Sequence, residues 1–128
     1  MYEIAGKKIP STLAEIVEPS QTALLIWDME YAIGPNAFNY QDMVPKLKDL
    51  SGLARRVGVR VFYSVQTGFD LAKEEAGVWV RIRMKRAKAS DPSQLLQQMD
   101  DPHGREIIAE LKPEAQDIVF QKRRPDAF

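Results

Sequence analysis

Apolar residues gather along this chain in short runs, separated by one amphipathic stretch and by segments rich in turn residues. Residues 22–28, TALLIWD, are apolar without alternation up to Asp28. That pattern predicts a strand buried on both faces. Residues 31–40, YAIGPNAFNY, carry Gly34, Pro35 and two asparagines and read as a loop. Met43, Leu47, Leu50, Ala54 and Val57 then recur at spacings of four and three, which sets them on one face of a helix. Lys46, Lys48, Asp49, Arg55 and Arg56 fall mostly elsewhere, and Gly58 is placed to end the helix as its C-cap glycine. Residues 59–65, VRVFYSV, are β-branched and aromatic and predict a second strand. Strand, helix and strand together fill 22–65, the length of a right-handed crossover between parallel strands.

The flanking regions are less regular. Residues 1–21 read as an irregular N-terminal arm with one helical turn near Ser11–Val17, bracketed by Pro10 and Pro19. VWVRIRMK at 78–85 alternates like a strand but lies among Ala, Lys, Arg and Glu like a helix, and both readings stay open. Asp91-Pro92 can start a short helix over SQLLQQM, and 101–104 (DPHG) read as a turn. REIIAEL at 105–111 predicts a short amphipathic helix stopped by Pro113, and DIVFQ at 117–121 a third buried strand running into Lys122. There is no internal repeat or linker, and the 128 residues are the size of one domain.

Composition narrows the function classes. Hydrophobic residues make up 45% and charged residues 28%, a globular balance. Lys+Arg and Asp+Glu are each 18, so nothing favours nucleic acid or an anionic membrane as partner. No apolar run could span a bilayer, and MYEIAGKKIP is too polar for a secretory signal, so a cytoplasmic location is expected. There is no cysteine, hence no disulfide, thiolate metal site or cysteine nucleophile within the chain. His103 is the single histidine, which rules out a multi-histidine zinc site here, and it reads as an exposed turn residue.

Two charges stand out. Asp28 and Lys122 each end a predicted strand, and ligands of parallel α/β sheets bind at the carboxyl ends of strands. Such a pair is either an acid–base device or a structural ion pair at the sheet rim. Glu30 reads as a solvent-facing loop residue, with a residue that alters substrate contacts as the alternative. Trp27 reads as core packing. Tyr31, Phe38 and Tyr40 either line a substrate pocket or lie as lids over a sheet edge. Gln66 joins Tyr31 and Phe38 as a candidate substrate-binding residue, while Ser64 and Thr67 either donate to a ligand or cap the strand end. Arg81, Arg83, Lys85, Arg86 and Lys88 form a basic run, read as a solvated face.

Three stretches resemble the isochorismatase-like cysteine hydrolase superfamily. They are STLAEIVEPSQTALLIWDME (11–30), LARRVGVRVFYSVQT (53–67) and GREIIAELKPEAQDIVFQKRRPDAF (104–128). The first is similar to the family's lead-in and Asp-Met-Gln signature, with Glu30 where Gln is usual; the last is similar to its helix, strand, catalytic Lys and Ala-Phe. The resemblance implies a three-layer α/β/α fold, doubly wound around a mainly parallel, Rossmann-like sheet, with 22–128 as the N-terminal part of one domain. It implies a catalytic base at Asp28 and its electrostatic partner at Lys122, acting on a cysteine whose thiolate attacks an amide, ester or enol-ether carbon. In the family that cysteine lies on a later strand and helix start, so the nucleophile is expected outside residues 1–128. No cofactor is required. The expected partners are a small-molecule substrate and either further copies of the chain or a second polypeptide completing the domain.

Alternatives are a nucleophile-lacking assembly or binding protein of the same fold, and a haloacid-dehalogenase-like phosphatase. The phosphatase requires a second Asp where Glu30 stands and a Thr soon after, and finds neither. A zinc-dependent nicotinamidase is disfavoured because TGFDL (67–71) has no histidine. A dinucleotide-binding domain is disfavoured because no G-x-G-x-x-G follows the first strand.

Overall fold

A computed structural model describes residues 1–66, 77–88, 90–91, 93 and 101–122. Thr67, TGFDL, most of SQLLQQM and the closing RRPDAF lie outside the described residues.

A βαβ unit forms the centre. Strand β3 (Ala23–Trp27) leads through a loop to helix α2 (Tyr40–Arg56) and on to β4 (Arg60–Gln66). Strand β5 (Ile118–Lys122) completes a parallel sheet of order β3-β4-β5. Register sets Trp27 beside Ser64 and Gln66 beside Lys122, so the three strands end at one rim. Ile26, Val61 and Tyr63 point to α2 and meet Val44 and Ala54, with Met29, Ile108 and Leu111 closing the core at the rim. This is the parallel βαβ arrangement that the pattern predicts, within the α/β, Rossmann-like class that the resemblance implies. Gly58 ends α2 at φ +83, a left-handed conformation that glycine adopts without a side-chain clash.

Several local expectations change. In β3 only Ile26 is buried, and Trp27 is 39% exposed. In β5 Ile118 and Val119 are exposed, so this apolar strand is not a buried one; Lys122 is its buried residue. Helix α2 buries Val44, Ser51 and Ala54 rather than the predicted Leu50 and Val57, which stay exposed. The small side chains of Ser51 and Ala54 let the helix approach the sheet closely, and that turns the larger Leu50 outward. Residues 78–85 lie in helix α3 (Gly77–Ala87), where Arg81, Lys85, Arg86 and Lys88 are solvated as expected.

REIIAEL does not form an α-helix. Seven residues before a proline are too few to propagate one without strong packing. Glu106–Ile108 instead run antiparallel to Met29–Tyr31, and Ala109–Leu111 make a 3-10 turn.

The arm is more ordered than its sequence suggests. Strands β1 (Tyr2–Ile4) and β2 (Lys7–Ile9) form a hairpin, its two-residue turn made by Ala5 and Gly6, both at positive φ. Short helix α1 (Leu13–Ile16) follows with a capping box between Thr12 and Glu15. The Ser11 N–H and the terminal ammonium both donate to the Glu15 carboxylate, which holds its pKa down at about 2.

Candidate active site

Asp28 is the first residue past β3 and takes φ +57. The left-handed region costs a residue with a side chain about 1–2 kcal/mol, least for Asp, Asn and Gly. The conformation turns the chain sharply off the strand, so that Met29–Ala32 can pair with Gly104–Ile108. The Tyr31 N–H donates to the Glu106 carbonyl at 3.1 Å, Ala32 to Gly104 at 2.9 Å, and Ile108 back to Met29 at 3.0 Å. This strap closes the core at the strand ends and fixes where Asp28 points.

Lys122 reaches Asp28 over the end of β4. Its Nζ lies 2.9 Å from Asp28 Oδ1 and 5.3 Å from the centre of the Trp27 ring. The contact is an ion pair by proximity, without the alignment of a hydrogen bond. The lysine side chain is 5% exposed and the aspartate 30%, so the ammonium sits behind a carboxylate that faces outward. Trp27, expected in the core, is half out of it and serves as an aromatic floor for the ammonium.

Glu30 corrects the expectation of a solvated loop residue. It is 1% exposed. The Gln66 backbone N–H donates to its Oε1. Burial pushes its pKa up, and the nearby Asp28 charge adds to this; the Gln66 hydrogen bond and the charges of Lys122 and Arg105 oppose it. Sequence reasoning discounted this residue because glutamates are seldom buried. The signal was there nonetheless, as two carboxylates two residues apart at a strand exit.

The other candidates divide. Gln66 stands at the rim, paired in register with Lys122 and bound through its backbone to Glu30. The Tyr31 hydroxyl accepts from the Ala109 N–H at 3.0 Å, and its ring stacks on His103 at 4.3 Å, so both ends of the side chain hold the strap. His103 is exposed, as expected, with Glu106 3.2 Å from Nδ1. Phe38 is fully exposed beyond the Gly34–Asn36 turn. Ser64 is buried in the central strand, and among the described residues its hydroxyl has no hydrogen-bond partner.

The arrangement offers a carboxylate able to take a proton, an ammonium fixed against it, and a buried second acid beside both. Among the described residues no helix is long and apolar enough to cross a membrane.

Comparison with known proteins bears on the family and the fold. The family model "Isochorismatase domain" matches residues 22–128. A crystal structure of a cysteine hydrolase from Pseudomonas syringae pv. phaseolicola 1448A is similar in fold, with a TM-score of 0.61 at 21% sequence identity. That match covers 84% of this chain and 48% of the other, so the chain spans about half the length of that hydrolase. Comparison with curated protein sequences returned no match. Nothing in these matches supports the phosphatase alternative, and Glu30, at the place of its second Asp, is buried rather than open to a metal. With a family model covering 22–128, the chain belongs to the isochorismatase family.

Proposed function

We propose that this chain carries the base half of a hydrolase site, acting on a small molecule with an amide, ester or enol-ether bond. Asp28 is the general base and Lys122 stabilises its negative charge. The nucleophile is a cysteine thiol outside residues 1–128, since the chain has no cysteine. For an amide or ester, Asp28 takes the thiol proton as the sulfur bonds to the carbonyl carbon; the C–N or C–O bond then breaks, with the departing amine or alcohol taking that proton, and water cleaves the thioester to release the acid and restore the thiol. The observation that supports this most is the 2.9 Å Asp28–Lys122 contact at the carboxyl ends of three parallel strands.

An intact-mass spectrum of the denatured protein comes first, because it identifies the polypeptide bearing the cysteine. The test is hydrolysis of a panel of small amides, esters and enol ethers by wild type and Asp28→Asn. A positioned general base contributes roughly 10²–10⁴-fold, so Asp28→Asn should lose at least the lower figure. Undiminished hydrolysis by Asp28→Asn would overturn the reading. A preparation in which every polypeptide lacks cysteine would overturn the cysteine mechanism.

A further inference from the structure

Asp28 and Lys122 are in contact at the strand ends, and Glu30 and Arg105 lie close enough for their charges to be felt there; the proposed mechanism uses the first two. Glu30 is wholly buried there, anchored by the Gln66 N–H. Among the described residues, the charges facing it are Asp28 from its own segment, Lys122 from β5 and Arg105 from the His103–Arg105 turn; β4 presents the Gln66 peptide. Gln66 is also the register partner of Lys122, so the group that anchors Glu30 adjoins the lysine.

We propose that Glu30 is a positioning residue whose proton determines how firmly Lys122 is held on Asp28. A protonated carboxyl offers a carbonyl acceptor and an O–H donor, the same kinds of group as a glutamine amide. In that state Glu30 accepts from Gln66 without bringing a negative charge beside Lys122, which lies 2.9 Å from the Asp28 carboxylate. When Glu30 ionises, a second carboxylate enters the cluster. Lys122 is then shared between two anions, and Asp28 gains a like-charged neighbour. Burial and the Asp28 charge move this transition above the ordinary glutamate range. The cluster is therefore a coupled unit, with its tight Asp28–Lys122 pair on the acid side of the Glu30 titration. This rests on the reading of Asp28 and Lys122 as the reacting pair.

Carboxyl-carbon NMR of the protein over about pH 4–9 tests it without substrate. Asp28→Asn and Glu30→Gln spectra assign the two resonances. We expect Glu30 Cδ to titrate above the ordinary value near 4.3. Asp28 Cγ and Lys122 Cε should shift over the same pH interval, and Glu30→Gln should abolish those shifts. A Glu30 that titrates at the ordinary value, or Asp28 and Lys122 signals indifferent to its titration, would overturn the inference. If Glu30→Gln fails to fold, the wild-type titration alone decides. Since no turnover is measured, failure here is separate from the loss or retention of hydrolysis in Asp28→Asn.

Discussion

Replacing Asp117 by Asn should weaken the fold by about 2–3 kcal/mol, and the structure shows why. Asp117 lies one residue before β5, with its side chain 1% exposed. Arg55, on the α2 face that meets the sheet, grips it with a fork: Nε to Oδ1 at 3.1 Å and Nη2 to Oδ2 at 2.6 Å. The same guanidinium donates to the Tyr63 hydroxyl at 3.1 Å and lies 3.0 Å from Glu114. Breaking a buried pair by removing one charge costs roughly 3–5 kcal/mol. Two features reduce that here. Asn keeps an acceptor for the Glu114 N–H that Asp117 now binds at 2.8 Å, and Glu114 remains close to the abandoned guanidinium. The lower estimate is still a large share of the ~5–15 kcal/mol that holds a domain together.

Urea unfolding at neutral pH measures the change, and Arg55→Ala, Asp117→Ala and the double variant isolate the pair itself. A coupling of about 2 kcal/mol is expected. A shift below about 0.5 kcal/mol for Asp117→Asn, or a coupling near zero, would refute the reasoning. The pH dependence has a definite sign. Burial alone would raise the Asp117 pKa, but the hydrogen bonds from Arg55 and the Glu114 N–H outweigh it and hold it low. Its stabilisation is thus complete above the unfolded value near 3.9 and is lost as pH falls through the depressed folded value. Wild type should lose stability below about pH 4 more steeply than Asp117→Asn. Because β5 ends in Lys122, the variant should also broaden the Lys122 resonances.

Two further outcomes follow from backbone and strap geometry. Gly58→Ala places a side chain at φ +83 with no atom of the described residues within 4 Å of the new Cβ, so the cost expected is backbone strain; thermal unfolding should show about 1 kcal/mol lost. Tyr31→Phe removes the acceptor of the Ala109 N–H while keeping the ring on His103, and hydrogen exchange at Ala109 should accelerate with about 0.5–1.5 kcal/mol of protection lost.

What could be read in the sequence was whatever depends on a residue's neighbours in the chain. The apolar run before Asp28, the periodic face of α2, Gly58 and the β-branched second strand are local signals, and each produced its element at close to the expected bounds. Burial is not local. Trp27, Ile118 and Val119 read as core from composition, but their environment depends on what lies across the sheet face, which no pattern within five residues encodes. REIIAEL has the right period for a helix and lost to a strap, because its backbone groups found partners in Met29–Ala32 once Asp28 had turned the chain.

The same asymmetry explains the site. Asp28 and Lys122 were visible because each ends an apolar run, where a charge must be paired or used. Glu30 was misread because its surroundings come from four separate segments: its own, the end of β4, the end of β5 and the turn holding Arg105. A glutamate can be buried at the strand ends only if neighbouring cations offset its charge or it keeps its proton. Lys122 and Arg105 offer the first route and the desolvating rim favours the second. The two routes demand different things of Lys122. If Glu30 is ionised, the lysine is drawn toward a second carboxylate; if Glu30 is protonated, that competing charge is gone and the contact with Asp28 is firmer, as the proposed general base calls for. The role proposed for Asp28 is therefore tied to a residue buried away from solvent.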